Sequence, residues 1–118
     1  MTRHLRAVLA GSLFLAMAAS APRAIAGEPP VEAGKAAAVA IRDFAFVPQV
    51  LTITAGQAVT WTNQDDDPHA VLSDDKTFRT RALDTGEKAT LVFEKPGEYA
   101  YFCSLHPHMT ARIVVKAP

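Results

Sequence analysis

From Ala38 onward the chain falls into short runs of β-forming residues, each closed by a turn signal. The runs are Ala38–Phe44, Val50–Thr54, Ala58–Asn63, His69–Ser73, Lys88–Glu94, Glu98–Cys103 and Ala111–Lys116. Ala55-Gly56, Thr85-Gly86 and Pro96-Gly97 read as turns between them, with Pro96 presetting φ and Gly97 free to take the positive φ of a type II turn. Short strands at intervals of about ten residues, with no helical period among them, predict an all-β sandwich or barrel. Alternation assigns the faces: Val59, Trp61 and Asn63 share one side, and Tyr99, Tyr101 and Cys103 share another. Ala89, Leu91 and Phe93 also point together, with Val92 as the apolar exception. If Tyr101 lies in the core, Cys103 points inward at the end of its strand.

The first residues read as a leader rather than as fold. Arg3, His4 and Arg6 make a positive start, Ala7–Ala21 is apolar and uncharged, and Ala24-Ile25-Ala26 is a small-x-small cleavage signature. Residues 1–26 are therefore expected to be a cleaved signal peptide, and the apolar run is shorter than the roughly 18–20 residues a spanning helix needs. No membrane association is expected after cleavage. Residues 27–37 carry Pro, Gly, Ala and Glu with no period and are expected to form a flexible arm, leaving 38–118 as one domain. Without Arg3, Arg6 and Arg23 the twelve basic residues fall to nine against twelve acidic ones, so the mature chain is mildly acidic. It has no basic stripe and no interleaving of basic and aromatic residues, so nucleic acid is not an expected partner. A monomer is expected.

Cys103 is the only cysteine, so it cannot be half of an internal disulfide. Export would place it in an oxidising compartment, where a free thiol survives by burial or by ligation. A buried structural cysteine is one reading. The other comes from its neighbours: Cys103-Ser-Leu-His106-Pro-His-Met109 sets a thiol, an imidazole and a thioether three residues apart, and Pro68-His69 lies far upstream. Two histidines, one cysteine and a weaker methionine make up a mononuclear blue-copper electron-transfer site. His69, Cys103 and His106 are the expected trigonal ligands and Met109 the axial one. Because the histidines come from separate stretches, the fold must set their separation. Pro107 fixes φ directly after His106 and biases that residue toward an extended conformation.

Other residues near the motif admit two readings each. His108 would be the ligand if the loop ran Cys-x4-His, but Met109 would then follow it directly, so His108 is placed at the surface near the metal. Asn63 either ties the His69 loop to the cysteine loop through Ser104, orienting the ligands from behind, or is a turn asparagine. Asp65, Asp66 and Asp67 are either a solvated turn or a charge that steers a basic partner. A binuclear centre needs two cysteines and is excluded.

Val59-Thr-Trp61-Thr-Asn63, Pro68-His69, Pro96-Gly97-Glu-Tyr99-Ala-Tyr101-Phe-Cys103 and Cys103-x-x-His106-Pro-x-Met109 resemble the type I copper proteins, the cupredoxins, over roughly residues 38–116. The short two-and-two spacing of Cys, His and Met is that of the amicyanin group. The resemblance implies a Greek-key β-sandwich of about seven to eight strands with one copper ion, Cu(I) or Cu(II), at one end. It implies a periplasmic one-electron shuttle rather than an enzyme, taking electrons from a dehydrogenase or other oxidoreductase and passing them to a c-type cytochrome. It further implies an apolar docking patch at the edge of His106, involving Pro68, Pro107 and His108, and a His106 that can protonate and leave reduced copper. Ala70 and His108 depart from the pattern, the first losing a polar side chain after His69 and the second making the patch more polar. A copper carrier or sequestration protein of the periplasm is the alternative function.

Overall fold

Period-two alternation decides which side of each strand is wet. In β1 (Ala37–Arg42) the side chains of Ala37, Val39 and Ile41 are buried while Ala38 and Arg42 are exposed. In β4 (Gln57–Asn63) Val59, Trp61 and Asn63 have no solvent exposure at all. In β8 (Thr110–Lys116) Ala111, Ile113 and Val115 are the buried set. Each strand thus has one apolar face that must be covered by another layer.

The computed structural model describes residues 35–118, and among them eight strands form two four-stranded sheets. The first sheet runs β2 (Ala45–Val47), β1, β4, β6 (Lys88–Phe93). The second runs β3 (Val50–Thr54), β8, β7 (Gly97–Phe102), β5 (Leu72–Ser73). β1 pairs parallel to β4, with Ala37 opposite Val59, and β3 pairs parallel to β8, with Val50 opposite Arg112. The remaining pairs are antiparallel. This is the expected all-β sandwich. The expected signal peptide (1–26) and residues 27–34 of the expected arm lie outside the described residues. Ala37, placed at the end of that arm, instead opens β1 and is buried, because its rung against Val59 extends the ladder. No helix among the described residues is long and apolar enough to cross a membrane.

Three local expectations are corrected. Ala38–Phe44 is not one strand. The chain turns at Asp43 and Phe44, both with positive φ (52° and 55°), and Arg42 then faces Ala45 across a two-residue hairpin. Positive φ at both central residues is the sign pattern of a type I′ turn, which alternation along one strand cannot reveal. His69–Ser73 is likewise not a continuous strand: only Leu72–Ser73 joins β7, while His69 pairs with Leu83 and Leu72 with Arg79 as isolated bridges. Gly97 has the expected positive φ, but at 153° it is the first residue of β7 rather than the interior of a type II turn. Gly56 and Gly86 do take the positive φ of turn glycines, at 95° and 81°.

The core joins the sheets through aromatic rings. Trp61 of β4 donates its indole N–H to the hydroxyl of Tyr101 of β7 at 3.3 Å, and the two rings meet edge to face with centroids 5.7 Å apart. Phe46 of β2 packs on Tyr101 at 4.8 Å, and Phe78 packs on Phe93 at 5.0 Å. Edge-to-face pairs of this kind add roughly 0.5–1.5 kcal/mol each beyond the area they bury. Tyr101 therefore fixes the end of β7, and Cys103 leaves that strand two residues later on the same inward side.

Burial pushes the Tyr101 hydroxyl up to about 12, against the opposing effect of the Trp61 hydrogen bond. In the unfolded chain a tyrosine ionises near 10. Between those values the unfolded state has released the proton and the folded state has not, so stability falls as pH rises. Chemical denaturation is expected to show a loss of about 2–3 kcal/mol between pH 9 and pH 12 from this group. Tyr101→Phe should lack that share of the alkaline loss while being about 1–2 kcal/mol less stable at neutral pH, since the Trp61 N–H loses its acceptor.

Candidate metal centre

The Cys103–Met109 loop is closed by its own backbone. The His106 N–H donates to the Cys103 carbonyl at 3.2 Å, and the Met109 N–H donates to the His106 carbonyl at 2.9 Å. The Cys103 N–H then donates to the Met109 carbonyl at 3.0 Å, and the pair Phe102–Thr110 is the last rung of the β7–β8 ladder below it. Two successive three-residue steps inside one closed loop account for the Cys-x-x-His-x-x-Met spacing. Cys103 and Met109 are buried, His106 is half-buried, and Ser104, Leu105, Pro107 and His108 are exposed.

His69 arrives from the other side of the site. Its backbone exchanges both hydrogen bonds with Leu83, at 3.1 and 2.7 Å, and its side chain is fully buried. Its Nδ1 lies 3.7 Å from Cys103 Sγ, and His106 Nδ1 lies at the same 3.7 Å. The three possible ligand atoms all fall within 4.8 Å of one another. The donor set can be tested against a metal by simple trigonometry. Bonds of about 2.0–2.1 Å to imidazole nitrogen and about 2.3 Å to sulfur, at trigonal angles, put N and S about 3.7–3.8 Å apart. The observed separations fit. The soft thiolate and two imidazoles are the donor chemistry that suits copper.

The hydrogen bonds behind these donor side chains explain their orientation. His69 Nε2 meets Asp65 Oδ2 at 2.8 Å, so Nε2–H donates to the carboxylate and the Nδ1 lone pair is left facing the sulfur. The Asp65 carboxylate also accepts the backbone N–H groups of Asp43 (2.7 Å) and Phe44 (3.0 Å). Burial pushes the Asp65 carboxyl up. The bonds from Phe44, His69 and Asp43, and the proximity of His69, outweigh it and hold the group below the usual carboxylate range. The Ala70 N–H points at Cys103 Sγ at 3.4 Å, so the residue lacking a polar side chain still supplies a donor from its backbone.

Asn63 is fully buried and its side-chain hydrogen bonds lie on the histidine side. Nδ2 donates to the carbonyls of Asp67 and Leu83, each at 2.8 Å, and Oδ1 accepts from the Asp65 N–H at 2.9 Å. It therefore locks both the segment before His69 and the residue paired with it. The expected tie from Asn63 through Ser104 is not among these bonds: they run to Asp67, Leu83 and Asp65, and Ser104 is exposed. Of the three aspartates, Asp66 and Asp67 are exposed and Asp65 is half-buried.

Sequence reasoning missed two contributors, Asp65 as the partner of His69 and Phe44 as the neighbour of both imidazoles. The ring centroid of Phe44 is 5.2 Å from that of His69 and 5.1 Å from that of His106, edge-on to both. The i,i+4 spacing of Asp65 and His69 was the one signal available for the first. Nothing local announced the second.

The comparisons with known proteins agree with this geometry. A family model described as a cupredoxin-like domain matches residues 7–115. Amicyanin-alpha from Methylorubrum extorquens is 34% identical over 115 residues, covering 93% of each chain. Among solved structures, a purple cupredoxin from Nitrosopumilus maritimus superposes with a TM-score of 0.65 at 33% identity, over 68% of this chain and 99% of that one. The Cu(I) form of an amicyanin variant superposes with a TM-score of 0.66 at 27% identity, over 69% of this chain and 82% of that one. With the two-sheet frame, the His–Cys–His cluster at its end and these likenesses in agreement, the chain belongs to the cupredoxin-like family.

Proposed function

We propose that this protein is an exported, periplasmic one-electron carrier in which His69, Cys103 and His106 hold a single copper ion and Met109 is its weak axial ligand. The observation that carries the reading is the pair of 3.7 Å separations between Cys103 Sγ and the two imidazole Nδ1 atoms, set at the end of the sandwich. Copper, when bound, supplies the Cu(I)/Cu(II) couple. The residues of the chain do the rest. Asp65 and Asn63 hold His69 from behind, the closed loop holds Cys103 and His106, and the Ala70 N–H meets the sulfur. A donor set pinned on every side moves little when its charge changes, which favours rapid transfer. His106 is the half-buried ligand, flanked by exposed Leu105, Pro107 and His108, so its edge is the natural exit for the electron. The partners proposed for that edge are a dehydrogenase or similar oxidoreductase as donor and a c-type cytochrome as acceptor. The likeness to amicyanin supports this assignment.

A copper carrier is the alternative role. Carriers present their ligands on accessible segments and release the ion readily. Here His69 and Cys103 are fully buried on separate parts of the fold, which favours retention. No bond of a substrate is made or broken in the proposed role, so the protein is read as a carrier and not as an enzyme.

The folded chain loaded with Cu(II) is expected to show an intense visible band from the thiolate, to bleach reversibly on reduction, and to keep its copper against a chelator. Cys103→Ser should abolish the band. A weakly coloured complex that surrenders copper promptly would favour the carrier instead.

A further inference from the structure

Phe44 sits where its own backbone does not want to be. It has φ of 55°, beside Asp43 at 52°, and its side chain is 48% exposed. The left-handed region costs an ordinary residue about 1–2 kcal/mol, and an aromatic ring gains little burial here to offset it. Yet the ring stands edge-on over His69 and His106 together, at interplanar angles of 87° and 86°. Something other than hydrophobic burial holds the turn in place.

Beyond the Arg42–Ala45 rung of the hairpin, the hold is one carboxylate. Asp65 Oδ1 accepts the Asp43 N–H, and Oδ2 accepts both the Phe44 N–H and His69 Nε2–H. Asp65 is itself anchored at both backbone groups. Its N–H donates to Asn63 Oδ1 at 2.9 Å, and its carbonyl accepts the Thr85 hydroxyl at 2.6 Å. A carboxylate can serve three donors at once because it presents two oxygens with about four lone-pair sites. An amide or a hydroxyl cannot.

We infer that Asp65 is a positioning residue for the metal centre: its carboxylate clamps the Asp43–Phe44 turn onto His69 and so holds the Phe44 ring as a cover over both imidazoles. This rests on the electron-carrier reading for its effect on redox behaviour, but the clamp itself consists of protein hydrogen bonds and needs no metal. The cover limits how closely water approaches the ligands. Water stabilises the more highly charged oxidised site more than the reduced one, so removing the cover should lower the reduction potential. The effect of losing Phe44 then depends on Asp65, because an unclamped ring covers nothing.

A double-mutant cycle tests this in the full chain. In the natural background Phe44→Ala is expected to raise the oxidised-to-reduced ratio at fixed ambient potential about three- to tenfold, tenfold being 59 mV for a one-electron couple. In an Asp65→Ala background the same substitution should change that ratio less than twofold, since coupled residues are not additive. Asp65→Asn, which keeps one acceptor oxygen, serves the same purpose if the alanine form does not fold. Equal effects of Phe44→Ala in both backgrounds would overturn the inference. In metal-free protein, proton NMR should show through-space contacts from the Phe44 ring to both imidazoles, lost in Asp65→Ala. Their persistence in that variant would also overturn the clamp. This second arm holds whether or not copper gives a reversible couple, so failure of the clamp and failure of the copper reading are told apart.

Discussion

Cys103 Sγ and the Nδ1 atoms of His69 and His106 are three electron-pair donors held within 4.8 Å of one another, on two buried residues and one half-buried one. Left to themselves such groups would separate and hydrate, because burying polar atoms without partners costs several kcal/mol. The fold opposes that tendency from two directions. On one side the Cys103–Met109 loop closes on itself through three backbone bonds. On the other, Asp65 and Asn63 grip the histidine segment, and Leu83 pairs with His69 directly. The rest of the molecule can be understood as the frame that keeps these two grips at a constant separation.

That frame is the contact between the sheets. Trp61 and Tyr101 belong to different sheets and meet in the core through a hydrogen bond and an edge-to-face ring contact. Asn63 is two residues beyond Trp61 and Cys103 two residues beyond Tyr101, on the same inward faces. The aromatic pair therefore sits one strand step below the two residues that organise the site. Any slip between the sheets would displace the histidine grip from the cysteine loop. Burial of polar groups in this layer is tolerated because they are partnered: among the described residues no buried side-chain N or O atom lacks a hydrogen bond.

The surface above the site is built differently from its base. His106, the ligand proposed for this edge, is half-buried, and the surrounding Phe44 and Leu105 are about half exposed. Below, Cys103 and His69 have no exposure. A centre that is rigid and dry beneath but thinly covered at one edge lets a partner approach a ligand without opening the fold. Electron transfer needs that short approach more than it needs a pocket.

The faces of β4 and β7 were legible in alternation alone, because Val59, Trp61, Asn63, Tyr101 and Cys103 follow the period of two that the pleat imposes. The cysteine loop was legible for a related reason. Its hydrogen bonds run between residues three or six positions apart, so local spacing carries the geometry. Phe44 was not legible: read locally it extends a strand, but the chain turns there into the β1–β2 hairpin, and the Asp65 carboxylate, more than twenty residues away in sequence, accepts both turn N–H groups. Asn63 could be read from the sequence as an organiser or as a turn asparagine, and its partners Asp67 and Leu83 depend on how the loops fold back, which no spacing encodes. The sequence by itself determined the donor types, their order and the layered β architecture, since those follow from side-chain chemistry and short-range periodicity. Only the tertiary structure decided which groups stand behind and above the donors, because hydrogen bonds between distant segments exist only after the sheets have brought those segments together.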